Sequence, residues 1–160
     1  MSFAGNISLG NVTLTMNNAA DSILAGVISC NGGLNKIDAC TLVLSGIKTY
    51  GVDTIINGGR VIATNGSALG AGLITNNTAL ELNFATNGTL ANTLAGNGAL
   101  TKTGNGTATL TGMGSTAGSV DVAAGGLVLA QGDTFNVTSN YTTQSGAATV
   151  LNNSTTLNVN

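Results

Sequence analysis

The sequence falls on itself when shifted: residues 7–70 align with 73–136 without a gap. Fifteen positions are then identical, among them Gly32/Gly98, Leu34/Leu100, Lys36/Lys102, Leu44/Leu110, Gly46/Gly112 and Gly59/Gly125. Many others are conservative, such as Met16/Leu82, Ile28/Leu94 and Ile62/Val128. A glycine-rich chain gives chance matches, but chance does not hold apolar positions in step over such a length. Residues 137–160 read as the start of a third, weaker copy, so 1–160 is one segment built by repetition.

Inside each copy the pattern is strand, turn, strand. "NVTLTMNN" alternates Val12, Leu14 and Met16 with Thr13 and Thr15, and "TALELNF" does the same with Leu80, Leu82 and Phe84. "TLVLSG", "TATLTG" and "GLVLAQG" are further short runs bounded by Gly, Asn or Asp. Period-two alternation with such punctuation is the strand signal. No helical stripe persists, and Asn, Gly and Thr are poor helix formers. The class is all-β.

Apolar positions also recur at Val12, Leu34, Ile56, Leu100 and Val122, with Thr78 the one polar member of a series whose step is 22 residues, so that three such steps make up one full repeat. A step of about 20 residues is what one coil of a parallel β-solenoid consumes, each coil rising ~4.8 Å over the last. The expectation is therefore a solenoid of about seven coils of roughly 22 residues. Composition agrees. Only 6% of residues are charged and 3% aromatic, yet 42% are hydrophobic, so small aliphatics must fill a narrow, regular interior. Twenty-four glycines suit left-handed corners, and the absence of proline suits coils that must all donate backbone N–H groups. Disorder is disfavoured, because it goes with low hydrophobicity and high net charge, and here the net charge is −2.

Four basic residues, Lys36, Lys48, Arg60 and Lys102, are scattered and give no footprint for nucleic acid. No apolar run approaches the ~20 residues of a membrane helix, so no direct membrane insertion is expected. "MSFAGNISLG" lacks the charged and apolar regions of a signal peptide.

The stretch "GNGALTKTGNGTATLTG", continued by "MGSTAGSVDVAAGGLVLAQG", resembles the autotransporter-associated β-strand repeat of bacterial type V secreted proteins. The match runs through Gly96, Gly98, Leu100, Lys102, Gly104, Gly106, Leu110 and Gly112, then Val120, Val122, Gly125, Leu127 and Leu129. The earlier copy matches through Gly32, Leu34, Lys36, Leu44, Gly46 and Gly59, and departs where Cys30 and Cys40 stand at two of the family's glycines. The resemblance implies a right-handed parallel β-helix in the passenger of an outer-membrane autotransporter, at the bacterial surface or secreted. An export signal would then precede the segment and a C-terminal translocator barrel would follow it. On that reading the chain is an excised piece of the passenger. The implied role is a non-catalytic stalk that displays a distal region and folds coil by coil after export. The alternative is an adhesin or self-associating module that binds a host surface, matrix or neighbouring cells, or itself through strand edges.

Cys30 and Cys40, the only cysteines, replace Gly96 and Gly106 and flank one strand-turn-strand. A disulfide closing a loop of about ten residues is the first expectation, and two unpaired buried thiols the other. Metal binding is not expected, since a site needs about four ligands and the chain has no histidine. Asp21, Asp38, Asp53, Glu81, Asp121 and Asp133 fall in different registers beside a lone Arg60, so solvated turn positions are expected, with no catalytic set and no cofactor. A groove uniting two of Asp38, Asp53 and Asp121 would revive an enzyme. Thr107, Thr109 and Thr111 share a face, but neighbouring coils supply no threonine pairs in step, which argues against ice binding. Lys36 and Lys102 read as surface lysines snorkelling from a polar face.

Overall fold

The computed structural model describes residues 1–29 and 31–160. Among them the secondary structure consists of short strands, and every strand pair is parallel. The chain winds around a three-faced prism for about eight coils, visiting the faces in a fixed order. The first face carries Ser2–Phe3, Ser22–Leu24, Thr41–Leu44, Arg60–Ala63, Ala79–Asn83 and Ala99–Thr103. The second carries Ile7–Ser8, Ile28–Ser29, Gly88–Leu90, Thr107–Leu110, Gly126–Leu129 and Ala148–Leu151. On the third lie Leu14–Met16, Leu34–Lys36, Thr54–Ile56, Ile74–Asn76 and Leu94–Ala95. The long strands Thr116–Val122 and Thr134–Thr143 turn the corner from the third face to the first, with a register shift between Ala117 and Ser119 at the bend. Thr156–Val159 adds the last third-face strand, on Thr134–Val137.

Register fixes the coil length. Leu14 pairs with Leu34, Leu34 with Thr54, Thr54 with Ile74 and Ile74 with Leu94, so on this face each coil advances the numbering by twenty; the last coils, with Gly126 on Ala148 and Thr134 on Thr156, advance it by twenty-two. The step of roughly 22 expected from the sequence is thus met in the last coils and shortened to about twenty below them. Leu34 lies between Leu14 and Thr54, Ile56 between Lys36 and Asn76, and Leu100 between Leu80 and Val120 on a different face. Val12 is exposed.

The repeat that carries residue 7 to residue 73 nevertheless lands strand on strand. It takes Leu14–Met16 into Ala79–Asn83, Ser22–Leu24 to Gly88–Leu90, Ile28–Ser29 to Leu94–Ala95 and Arg60–Ala63 to Gly126–Leu129. In each case the partner is on the next face: second to third, third to first, first to second. Three coils of twenty fall six short of the full repeat, and six is about the share of one face. The repeat is three and one-third coils, so a third of it is longer than a coil.

Inward positions make vertical apolar columns. Leu42, Val61, Leu80, Leu100 and Val120 stack in one, and Leu90, Leu110 and Leu129 in another. All eight are at most 1% exposed. Each buried Leu or Val contributes about 1.5–3 kcal/mol relative to an exposed one, and no large side chain is needed to do it. Of the few rings, Tyr50 and Phe84 are fully buried at corners, and Phe135 is fully buried within the strand Thr134–Thr143. Of the motif residues, Leu34, Leu44, Leu100 and Leu110 are core, while Gly32, Gly98 and Gly112 are buried where coils come close. Gly59 and Gly125, equivalent in the two copies, both take left-handed corners, with φ of 59° and 67°. A Cβ on Gly125 would overlap the carbonyl oxygens of Gly104 and Gly106 one coil below.

Gly125→Ala therefore combines a left-handed alanine with a backbone clash, and should cost about 2 kcal/mol or more, lowering the melting temperature by about 5 °C. Gly51→Ala, where nothing lies within 4 Å of the added carbon, should leave the melt unchanged. Thermal unfolding followed by far-ultraviolet circular dichroism checks both.

Candidate functional site

Among the described residues the regular stack is interrupted on the second face. Above Ile28–Ser29 that face holds only the isolated bridge from Ile28 to Lys48, and its next strand is Gly88–Leu90. Between them residues 64–71 fold inward, with Ala68 and Leu69 fully buried. The Ala71 N–H donates to Tyr50 O at 3.0 Å, and Gly70, with φ of 69°, lies against the Tyr50 ring. The Tyr50 and Thr54 hydroxyls share a hydrogen bond of 2.7 Å, and Thr54 Oγ1 donates to Leu69 O at 2.9 Å. Outside this plug is an open depression of about 510 Å³, lined by Lys48, Thr49, Ser67, Ala71, Thr89 and Asn92.

Lys48 is 3% exposed, and its Nζ donates to the carbonyl oxygens of Gly46 (2.9 Å), Gly26 (3.0 Å) and Leu24 (3.2 Å). All three ammonium protons are thereby used on backbone, and burial pushes the pKa down to about 8. Such an ammonium is a structural plug rather than a free nucleophile.

Lys36 and Lys102 follow the same plan, which corrects the expectation of surface lysines. They are 1% and 0% exposed and point inward, in the columns Met16–Lys36–Ile56 and Leu82–Lys102–Val122. Lys36 Nζ donates to Asp38 O (2.5 Å), Asp38 Oδ1 (2.8 Å) and Gly58 O (3.3 Å). Lys102 Nζ donates to Thr103 O (2.5 Å), Gly104 O (2.9 Å) and Ala124 O (3.2 Å), and burial lowers its pKa. Where a strand ends at a corner, carbonyls lose their ladder partners; a buried ammonium supplies three donors to them. The signal is available in the sequence. Lys36 stands two residues after buried Leu34, and Lys102 two after Leu100, so alternation alone places both inside.

The acids clip coils together. Asp21 Oδ1 accepts Thr41 N–H (2.7 Å), Asp53 Oδ1 accepts Leu73 N–H (3.0 Å) and Asp133 Oδ2 accepts Gly114 N–H (2.6 Å). Asp38 accepts Lys36 Nζ and Cys40 N–H (2.8 Å) through Oδ1 and Asn18 N–H (3.1 Å) through Oδ2. Burial raises the Asp38 pKa, but these hydrogen bonds and the ammonium outweigh it, and the carboxyl is held below its ordinary value. Glu81 pairs with Arg60 through Oε2 and accepts Thr103 Oγ1 at 2.5 Å through Oε1. Asp121 Oδ1 accepts Thr142 Oγ1 and Gln144 Nε2, each at 2.9 Å. Asp38 and Asp53 serve different corners and Asp121 the first face, so no groove unites them.

No family model, no curated protein and no solved structure matches this chain. The expected Cys30–Cys40 bridge falls on Cys30, which lies outside the described residues; Cys40 carries a free, half-buried thiol.

Two pH responses follow, of opposite sign. The folded pKa of Lys48, about 8, is below its ordinary 10.5. Between those values the unfolded chain holds a proton that the folded chain has released, so stability rises with pH. Thermal melts from pH 7.5 to 9.5 should shift upward by about a few degrees, and Lys48→Met should reduce that slope; an unchanged slope removes Lys48 as its source. Asp38 stabilises above its unfolded pKa of about 3.8, and that contribution is lost as pH falls through the lower folded value. Asp38→Asn, which removes the charge facing the Lys36 ammonium while its bonds to Asp38 O and Gly58 O remain, should cost about 1–3 kcal/mol at pH 7 and shrink the acid-induced loss, measured by urea unfolding at pH 7 and pH 3.

Proposed function

We propose that this chain is a non-catalytic structural stalk, a rod segment whose work is to hold other parts of a molecule at a distance. The carrying observation is that the charged side chains are engaged within or between coils. Three lysines cap corner carbonyls, four aspartates accept backbone N–H groups of an adjacent coil, and the Arg60–Glu81 pair spans neighbouring strands. Polar chemistry spent this way holds a rod together.

The sequence resemblance extends the reading to the passenger of an autotransporter at the bacterial surface, exported through the outer membrane and folding coil by coil outside. Supporting it are the near-constant coil and the local bonding, since each strand pairs with the coils immediately above and below and coils can be added one at a time. The second reading, an adhesin or self-associating module, draws on exposed apolar side chains in the outermost coils, among them Phe3, Val12, Val150, Leu151 and Val159.

Light scattering over a wide concentration range, with binding to immobilised matrix and whole cells, separates the two. A stalk stays monomeric and is retained by neither surface. Concentration-dependent association or saturable retention would sink the stalk in favour of the adhesin. In the parent gene, a region coding for a translocator barrel is the expected companion, and its absence overturns the autotransporter assignment while leaving the stalk intact.

A further inference from the structure

At the corner between the second and third faces the upper coils bury a polar residue each: Asn92, Ser115, Gln131 and Thr155. Three of them serve neighbouring backbone. Asn92 Nδ2 donates to Gly72 O (2.6 Å) and Gly70 O (3.1 Å). Ser115 Oγ donates to Gly112 O (2.6 Å) and accepts Leu94 N–H (3.1 Å). Thr155 Oγ1 accepts the N–H groups of Gln131 (2.9 Å) and Gly132 (3.1 Å). The Gln131 side chain is the exception. The residue is 5% exposed, and both Nε2 and Oε1 are buried without a hydrogen-bond partner, as is Oδ1 of Asp133.

The earlier copy, whose equivalent corner lies one face back, shows such an amide satisfied. Asn65 aligns with Gln131 and Ser67 with Asp133. Asn65 Nδ2 donates to Ser45 O at 2.8 Å, and Oδ1 accepts Ser67 N–H at 2.9 Å. Gln131 is one methylene longer, and its amide makes neither bond. Leu127, Leu129 and Gln131 are buried at alternate positions, and Asp133 follows Gln131 across Gly132, a left-handed turn with φ of 78°, so the two side chains leave the chain at the same corner.

The geometry points to a single ordered water held between Gln131 and Asp133, donating to Gln131 Oε1 and Asp133 Oδ1 and accepting from Gln131 Nε2. The two orphaned oxygens and one of the two Nε2 hydrogens match the two hydrogens and one lone pair of a water, and three bonds are what a buried water typically makes. A metal cation fits the two oxygens but leaves the amide nitrogen without an acceptor and holds its hydrogens beside like charge. An anion meets the Asp133 carboxylate. The water completes a node through three coils, because Asp133 Oδ2 already reaches down to Gly114 N–H and the Gln131 and Gly132 N–H groups reach up to Thr155.

A high-resolution crystal structure of the whole chain is the direct test. A density peak about 2.7–3.2 Å from each of the three atoms is expected, and melting that does not respond to calcium or to a chelator. An empty corner, or an occupant at the ~2.4 Å of a cation that a chelator removes with a fall in melting temperature, overturns the proposal. Gln131→Met gives an independent sign. With the water in place the variant strands the Asp133 oxygen and should melt about 2–4 °C lower. If the amide is simply unsatisfied, removing it relieves a penalty and the variant melts higher, which also overturns the proposal.

Discussion

Each strand of this solenoid must satisfy its N–H and C=O groups on the coils above and below, and that demand organises the rest of the molecule. Parallel ladders stack coils at a fixed rise, and a side chain on one coil meets the same environment on the next. Residues whose backbone cannot donate are therefore excluded, and no proline occurs anywhere in the sequence. Corners must be tight enough to return the chain to the next face within a few residues. Gly59 and Gly125 achieve this through backbone conformations that a Cβ would strain. A core made of Leu, Ile, Val and Ala columns then suffices, because the ladder rather than side-chain shape sets the spacing between layers.

The ladder leaves a regular set of unpaired groups where strands stop. Carbonyls at the corners converge on the interior, and lysine is the side chain that offers three donors at the end of a long, thin stem. Desolvation of an ammonium is unfavourable, visible in the lowered pKa values of Lys48 and Lys102. Without it the corner carbonyls would lose a donor, and among the described residues only Leu24 O and Thr103 O of them also accept a backbone N–H, from Ser45 (3.3 Å) and Phe84 (3.2 Å). Unpaired N–H groups at the same corners go to Asp and Asn side chains of the neighbouring coil, as Thr107 N–H does to Asn87 Oδ1 and Val27 N–H to Asn6 Oδ1. Few charges suffice for such a chain because several are placed inside, one to a corner, where each has several partners.

Much of this is legible in the residues. Alternation locates the strands around Leu14, Leu42, Leu80 and Leu127, and glycine and asparagine mark the corners. The coil length is not legible, because the repeat carries each strand to the next face, and a linear comparison cannot distinguish a shift by a coil from a shift by a coil and a face. For Lys36 and Lys102, charge argues for the surface and the parity of Leu34 and Leu100 for the interior; parity is the stronger argument. The inward fold of residues 64–71 carries little pattern of its own. Its apolar pair, Ala68 and Leu69, lies among Asn, Gly and Ser that read as an ordinary loop, and only Tyr50 beneath explains why the segment is drawn in. Nor does the sequence show that Asp21, Asp53 and Asp133 reach across to the adjacent coil, since the amides they cap are a whole coil away along the chain.

A repeat of three and one-third coils has a physical meaning. The three faces offer nearly the same environment: a parallel ladder, an inward apolar column and a corner with orphaned carbonyls. A sequence unit that suits one face therefore suits the next, and a unit added to such a chain need not close a whole number of coils. The constraint is only that strands meet strands, which the repeat satisfies at Leu14, Ser22, Ile28 and Arg60 alike. Corner devices then travel around the prism. The lysine that caps a corner leaving the third face at Lys36 reappears at a corner leaving the first at Lys102, with the same three-acceptor geometry. Because the devices are spread around the axis rather than stacked on one edge, the polar fastenings of the described coils are shared among the corners.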